Sequence, residues 1–229
     1  MLREGLRTDD LKSPAIKGTV SLVELPGFID PNDVENIVRG LNDILVNDKI
    51  AEHRSAVVKA LTAISVVHPA LVENITLPLL FHNLPETAPG IDKVEARDQY
   101  RDVLKSLSEL CVQPALFETL VVRVTTKLDL MSSSPSISSE NDSAEYRECE
   151  VAFIWDLLNA LLGVIETKIK HNHLDVVKHF DRIIPRLNTL AFNAAGPSTQ
   201  PTEPLFRDGR LLTIVGRLTE TMVWELSLE

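Results

Sequence analysis

Apolar residues recur along the chain at intervals of three and four positions, which is the spacing of one face of an α-helix. The segment from Val34 to Leu45 shows the pattern clearly, with apolar residues at positions 34, 37, 41, 44 and 45. Comparable stripes follow in both directions, so the pattern predicts nine helices. They are expected to start near Pro14, Pro31, Ile50, Pro69, Asp92, Pro114, Ala144, Leu174 and Asp208.

Prolines and capping residues support several of these helix starts. Ser13-Pro14 and Asp30-Pro31 each combine an N-cap residue with a proline suited to the first helical turn. Pro78 and Pro185 fall inside helical patterns instead, where a proline removes one backbone hydrogen bond and kinks the chain. We interpret both as bends within a continuous helix rather than as breaks.

The same stripes predict which side chains face the interior. Phe153 and Trp155 are expected to widen the apolar face of the seventh helix. The other inward positions include Ile50, Val57, Leu61, Ile64, Leu71, Ile75, Leu79, Leu80, Val94, Tyr100, Leu104, Leu116, Leu120, Val124, Leu128, Val151, Ile154, Leu158, Leu174, Leu212 and Val215.

One segment occurs twice. Residues 68–75 recur at 113–120, 45 residues later, and residues 31–37 form a fainter third copy. A repeat of roughly 40–47 residues built from two helices is typical of HEAT and armadillo proteins. The sequence therefore predicts an all-α fold: a HEAT-type α-solenoid of about four to five antiparallel helix pairs, forming one segment over residues 1–229.

Two stretches interrupt the helical pattern. Residues 132–143 are rich in serine and acids and are predicted to form a disordered insertion, because they cannot bury enough apolar area to become ordered. Residues 196–207 are predicted to form a flexible loop. The last helix also contains apolar Leu211, Ile214 and Trp224, which give it more apolar surface than one buried side requires. We therefore expect this chain to be part of a longer array.

Composition and charge indicate the cellular compartment and the class of partner to expect. The formal net charge is −10, from 33 acidic and 23 basic residues, which disfavours direct binding of nucleic acid. Cys111 and Cys149 are the only cysteines and are expected to be free thiols in a reducing compartment. No signal region is evident, and the apolar stretch 151–165 is too short to span a bilayer. A cytoplasmic or nuclear protein is expected.

Catalytic motifs were sought without success. There is no glycine-rich phosphate loop, no His-Glu-x-x-His and no Gly-x-Ser-x-Gly. We predict no catalytic, cofactor-binding or metal-binding residue, no cofactor and no enzymatic activity. His171, His173 and His179 can be read as metal ligands, but they fit better as a cap at the junction of two helices. His171 and His173 are two positions apart and would point to different sides of a helix.

Two further clusters have alternative readings. Asp142, Glu145, Glu148 and Glu150 form an acidic run, which is better explained as a solvated face than as an acid–base pair. Ser134-Pro135 and the stretch Ser139 to Asp142 can be phosphorylated, and an unmodified linker is the alternative.

The string from Thr76 to Pro85, with the helix pair 96–130 after it, resembles one branch of the HEAT superfamily. That branch is the cytosolic iron–sulfur assembly targeting adaptor named for methyl-methanesulfonate sensitivity, also described as a nucleotide-excision repair and transcription family. The resemblance implies a scaffold that brings apo helicases, polymerases and other DNA-maintenance enzymes to the iron–sulfur assembly factors. It also implies no catalysis and no cluster held by the adaptor itself.

Two other function classes remain open. A generic HEAT scaffold, such as a nuclear-transport or phosphatase-regulatory subunit, is equally compatible with the acidic surface. An enzyme is the third class, although the sequence offers no site for it.

Overall fold

The computed structural model describes residues 5–6, 8–23, 25, 29–133, 143–196 and 204–226. Within these residues the chain is helical and no strand occurs, which confirms the predicted fold class. None of the helices described combines the length and the apolar character needed to cross a membrane. In the part of the chain that the structure describes, nine helices follow one another: α1 Asp9–Val23, α2 Pro31–Asn47, α3 Ala51–Val67, α4 at 69–82, α5 Val94–Leu110, α6 Pro114–Ser133, α7 Ser143–Lys170, α8 Phe180–Ala195 and α9 Gly209–Leu226.

The chain divides into two compact units. Unit 1 comprises Met1–Asn83 and Glu109–Leu116, and unit 2 comprises Leu84–Ser108 and Phe117–Glu229. Each unit has its own apolar interior. The prediction of one continuous segment over residues 1–229 stays a prediction.

Unit 1 is built from helices that contact the next helix and the next but one. α1 packs on α3, α2 packs on both α3 and α4, and α3 packs on α4. The turn between α2 and α3 is held by Asp48, whose carboxylate accepts from the Ile50 N–H and pairs with Lys12 and His53 at 3.0 Å each. Burial opposes ionisation of this carboxyl group, but its partners outweigh that effect and lower the pKa of Asp48 to about 2.

The three copies of the repeat begin equivalent helices. Pro31, Pro69 and Pro114 are the first residues of α2, α4 and α6. The predicted start of α1 is wrong, because the helix begins at Asp9 and Pro14 lies inside it. A proline one turn into a helix forfeits a single hydrogen bond, and α1 tolerates that loss.

Helix α4 continues past Pro78 by means of a π turn. Its α-helical parts are Pro69–Leu71 and Leu77–His82, and Val72–Thr76 between them is π-helical. The Leu77 N–H donates to the carbonyl of Val72, five residues back. The predicted inward positions Leu71, Ile75 and Leu79 are wrong, whereas the predicted inward position Leu80 is confirmed. Those three side chains are only half-buried, whereas Val72, Thr76, Leu77 and Leu80 form the buried face.

Unit 2 consists of two layers of helices. α5, α7 and α9 lie side by side in one layer, as shown by contacts of Tyr100 with Phe153 and by the packing of α9 on α7. α6 and α8 lie in the other layer, where Asp129 pairs with Arg186. A 3₁₀ turn, Leu174–His179, leads into α8, and a second, Leu205–Arg207, precedes α9. Neighbouring helices thereby bury their apolar stripes between the layers.

The interior of unit 2 contains a cation. The side chain of Lys168 is 0 % exposed, and its Nζ lies 2.8 Å from Asp175 Oδ2 and 4.8 Å from the centre of the Phe117 ring. Lys127 Nζ donates to the carbonyls of Pro85 and Glu86, which fixes the loop before α5. A buried charge is tolerated only when it is paired in this way.

Five further positions predicted to face inward are exposed. Each lies at a helix start, in a 3₁₀ turn or at the edge of an apolar stripe. The exposed fractions of these side chains are 50 % for Ile50, 54 % for Val94, 38 % for Trp155, 60 % for Leu174 and 44 % for Leu212. Ile50 caps α3 and Val94 is the first residue of α5, so neither follows the helical register. Leu174 begins a 3₁₀ turn, where Val176 is buried instead. In α9 the neighbouring Leu211 is 0 % exposed.

The predicted irregular stretches are partly ordered. Residues 134–142 and 197–203 lie outside the described residues. Ser132 belongs to α6, and α7 begins at Ser143, so both ends of the predicted insertion 132–143 are helical. In the predicted loop 196–207, Phe206 is buried, and Arg207 donates to the carbonyls of Ala194 and Gly196.

Candidate interaction surfaces

A groove of about 320 Å³ lies between α2 and α4 in unit 1. Val46, Ile75 and Leu79 form its apolar part, and Asp43 and Arg39 lie along its α2 side. The π turn creates this apolar part, because it rotates Ile75 and Leu79 out of the core. Below the groove, the Thr76 hydroxyl donates to Asn42 Oδ1 at 3.0 Å, and both side chains are buried.

A cleft of about 340 Å³ lies between α5 and α7 in unit 2. Asp156 organises it by accepting from the Tyr100 hydroxyl at 2.6 Å and from Arg101 Nε at 2.9 Å. Burial raises the pKa of Tyr100, and the neighbouring Asp156 carboxylate raises it further, so the phenol remains a donor. The cleft floor is formed by Ala160 and Gly163.

A groove of about 800 Å³ lies between α6 and α8 in unit 2. Arg186 Nε donates to Asp129 Oδ1 at 2.7 Å across it. Its α8 wall contains Pro185, which was interpreted as a bend within a helix and lies inside continuous α8. Phe192, two turns after Pro185, is 76 % exposed and adds an apolar side chain at the solvent edge.

Charged pairs tie α9 to α7. Arg210 donates to both carboxylate oxygens of Glu148, at 2.5 and 2.7 Å, and to Asp208. Bonding to Arg210 lowers the pKa of Glu148 and of Asp208 and raises the pKa of Arg210. Arg217, about two turns after Arg210 in α9, pairs with Glu166 near the end of α7. These exposed pairs set the register of the two helices and stabilise them only modestly.

The structure places the acidic run on one helix without making it a site. Glu145 and Arg147 are in the first turns of α7. Glu148 is paired with Arg210, while Glu150 is buried, which raises its pKa. The fourth residue of the run, Asp142, lies outside the described residues, as do Ser134 and Ser139.

The three histidines occupy different surroundings. α7 ends at Lys170, and the turn that follows contains Asn172 with φ 56°. His171 Nδ1 hydrogen-bonds to the Thr167 carbonyl at 2.8 Å, and the His171 and His173 rings are 6.1 Å apart because the turn replaces the helix assumed for them. His179 packs edge-on against Phe117, and burial lowers its pKa. Among the residues described, no group of three or more His, Cys, Asp or Glu side chains is placed to hold a metal ion.

Sequence comparison decides the family. The MMS19 C-terminal family, described as RNAPII transcription regulator C-terminal, matches residues 103–229, which is more than half of the chain. The chain belongs to this family. The match confirms the resemblance seen in the sequence. A search among curated proteins found no match.

The MMS19 C-terminal match covers the second half of α5 and all of α6 to α9, and therefore the α6/α8 groove and the α5/α7 cleft apart from Arg101. The α2/α4 groove lies outside it. As a member of this family the chain is a helical scaffold related to transcription and repair. Sequence reasoning missed Asp156 and Lys168 as organising residues, since a charged residue in a helical pattern is read as a surface position.

Proposed function

We propose that the chain is a non-catalytic protein-interaction scaffold that delivers apo-proteins of DNA repair, replication and transcription to the cytosolic iron–sulfur assembly machinery. The observation that supports this most is the MMS19 C-terminal match over residues 103–229. The expected place of action is the cytoplasm and the nucleus. The direct partners are proteins, namely iron–sulfur assembly factors and apo iron–sulfur enzymes, rather than nucleic acid or membrane.

The surface supports a protein-binding role on physical grounds. Its grooves are shallow, lie between neighbouring helices and contain apolar side chains beside charged ones. Successive helices of a solenoid provide this kind of extended surface, which binds proteins through many modest contacts. The net charge of −10 favours partners with basic surfaces, and enzymes that act on DNA have such surfaces.

The two thiols support a scaffold that holds no cluster of its own. Cys111 and Cys149 are both buried and neither forms a disulfide, and burial raises the pKa of Cys149. An iron–sulfur cluster usually requires four thiolates. We therefore expect the purified chain to contain no iron and to hydrolyse no nucleotide, which metal analysis and a phosphate-release assay can check.

Affinity purification followed by mass spectrometry tests the proposal. With this chain as bait, we expect iron–sulfur assembly factors together with DNA-maintenance enzymes that contain clusters. A helical bait of similar size and net charge serves as the control, because charge alone recruits basic proteins. Recovery of nuclear-transport factors or phosphatase subunits, without iron–sulfur machinery, would favour the generic scaffold instead.

A further inference from the structure

The α2/α4 groove has features that packing of the chain itself does not explain. Val46 is 40 % exposed at its edge, and Ile75 and Leu79 are half-buried along its floor. The groove residues of α2 are 39, 42, 43, 46 and 47, which share one face over about two helical turns. Ile75 lies within the π turn, and such a turn is a distortion often found at functional positions.

The charges around this groove are mainly negative. Asp43 has a hydrogen bond from the Asn47 side chain at 2.8 Å and no cationic partner among the described residues. Arg39 also lines the groove, but Glu35 on the same helix engages it through Nε and Nη2. α4 contains Glu73 and no lysine or arginine. The groove therefore combines an apolar strip with one uncompensated carboxylate.

We propose that the α2/α4 groove binds a basic amphipathic helix of a partner protein. Apolar side chains of that helix would contact Val46, Ile75 and Leu79, and a lysine or arginine would pair with Asp43. This deepens the proposed function, on which it rests for taking the ligand to be a protein, by naming a surface and the chemistry of its partner.

A helix suits the groove better than an extended strand. The two neighbouring helices offer side chains rather than free backbone groups, because their own N–H and C=O groups are used within each helix. An amphipathic helix places apolar residues at i, i+3, i+4 and i+7, which covers about two turns and matches the length of the α2 wall. A nucleic acid is disfavoured, since its phosphates would meet Asp43 and Glu35.

A defined peptide tests the groove. The probe is a fluorescein-labelled helical peptide of about fourteen residues with leucine at i, i+3, i+4 and i+7 and lysine at its polar positions. We expect anisotropy to show binding to the full chain, and a peptide with glutamate in place of lysine to bind at least about tenfold more weakly. Asp43→Lys should weaken binding of the lysine peptide by on the order of tenfold, since attraction becomes repulsion.

Matched variants distinguish binding in the α2/α4 groove from a general effect of charge or polarity. Val46→Gln should weaken binding severalfold, whereas Val122→Gln on α6, with 38 % exposure against 40 %, should leave it unchanged. Asp181→Lys on α8 makes the same change of charge as Asp43→Lys and should also leave binding unchanged. Circular dichroism and Tm establish that each variant is folded.

Three results would overturn the inference. They are equal losses for Asp43→Lys and Asp181→Lys, no loss for Val46→Gln, and equal binding of the lysine and glutamate peptides. The outcome of the affinity purification is independent of the outcome of the peptide titration. A bait that recovers no iron–sulfur machinery contradicts the proposed function while the peptide titration still decides whether the groove binds a basic helix.

Discussion

Helices α4 and α6 begin with the same sequence motif and yet bury overlapping but different sets of positions. In α6, Leu120 is 2 % exposed and Val122 is 38 % exposed, as the apolar stripe predicts. The equivalent residues of α4, 45 positions earlier, show the opposite order. Ile75 is half-buried and Leu77 is 0 % exposed. Two copies of one motif therefore pack with different rotations about the helix axis.

The two helices also differ at one proline and in one turn of backbone. Pro78 in α4 corresponds to Arg123 in α6. A proline has no N–H to donate within a helix, and the π turn Val72–Thr76 lies immediately before the segment that contains it. With the extra residue in that turn, α4 buries Leu77 and leaves Ile75 half-buried, whereas α6 buries Leu120 and exposes Val122. The comparison shows how a local backbone constraint in one copy exposes apolar side chains, which then line a groove.

The largest expected effect tests directly which positions of α4 and α6 are buried. Leu77→Ala and Leu120→Ala should each lower the free energy of unfolding by about 2–5 kcal/mol, because each removes a buried side chain. Val122→Ala and Ile75→Ala should cost clearly less. Urea unfolding followed by circular dichroism measures all four. A greater loss for Ile75→Ala than for Leu77→Ala would mean that α4 buries the same face as α6.

A proline placed in α6 should be more harmful than the proline that α4 already contains. Arg123→Pro removes a hydrogen bond from a regular helix and should cost about 3 kcal/mol or more. Pro78→Ala affects an exposed position beside a turn that already accommodates proline, so a change within about 1 kcal/mol is expected. Thermal unfolding compares the two variants, and similar losses would contradict the account.

The third prediction concerns a polar contact that α4 has. Thr76→Val leaves the buried Asn42 without the hydroxyl that donates to it, and should cost about 1–3 kcal/mol. The double change Thr76→Val with Asn42→Leu replaces both partners by apolar groups and should recover much of that loss. In α6 the equivalent residue is Val121, which is already apolar and 0 % exposed. A double variant as unstable as Thr76→Val alone would count against the hydrogen bond.

The smallest effect depends on pH and concerns Asp48, which holds the turn between α2 and α3 in unit 1. The pKa of Asp48 is about 2 in the folded chain, below its ordinary 3.8, so ionised Asp48 stabilises the fold above pH about 4. That contribution should disappear as the pH falls from about 4 to about 2. Asp48→Asn should remove it at all pH values. An unchanged pH dependence in the variant, measured by unfolding at pH 5 and pH 3, would show that other carboxyl groups are responsible.

Much of the fold follows from the sequence, and the exceptions have physical causes. Prolines at 31, 69 and 114 mark three helix starts, and Leu158 is buried as its stripe predicts. The π turn could not be predicted, because Pro78 shows only that one hydrogen bond is missing and not which carbonyl the preceding N–H selects. Lys168 was missed for a different reason, since its burial depends on Asp175 and Phe117 from other elements.

The central claim is that α4, with its π turn, buries Leu77 more deeply than Ile75, reversing the order seen at Leu120 and Val122. Thiol labelling measures this most directly, with a single cysteine placed at each of the four positions in turn. Native Cys111 and Cys149 are buried, so they should react slowly. The account predicts that Ile75→Cys and Val122→Cys react much faster than Leu77→Cys and Leu120→Cys under native conditions. Fast labelling of Leu77→Cys with slow labelling of Ile75→Cys would contradict it.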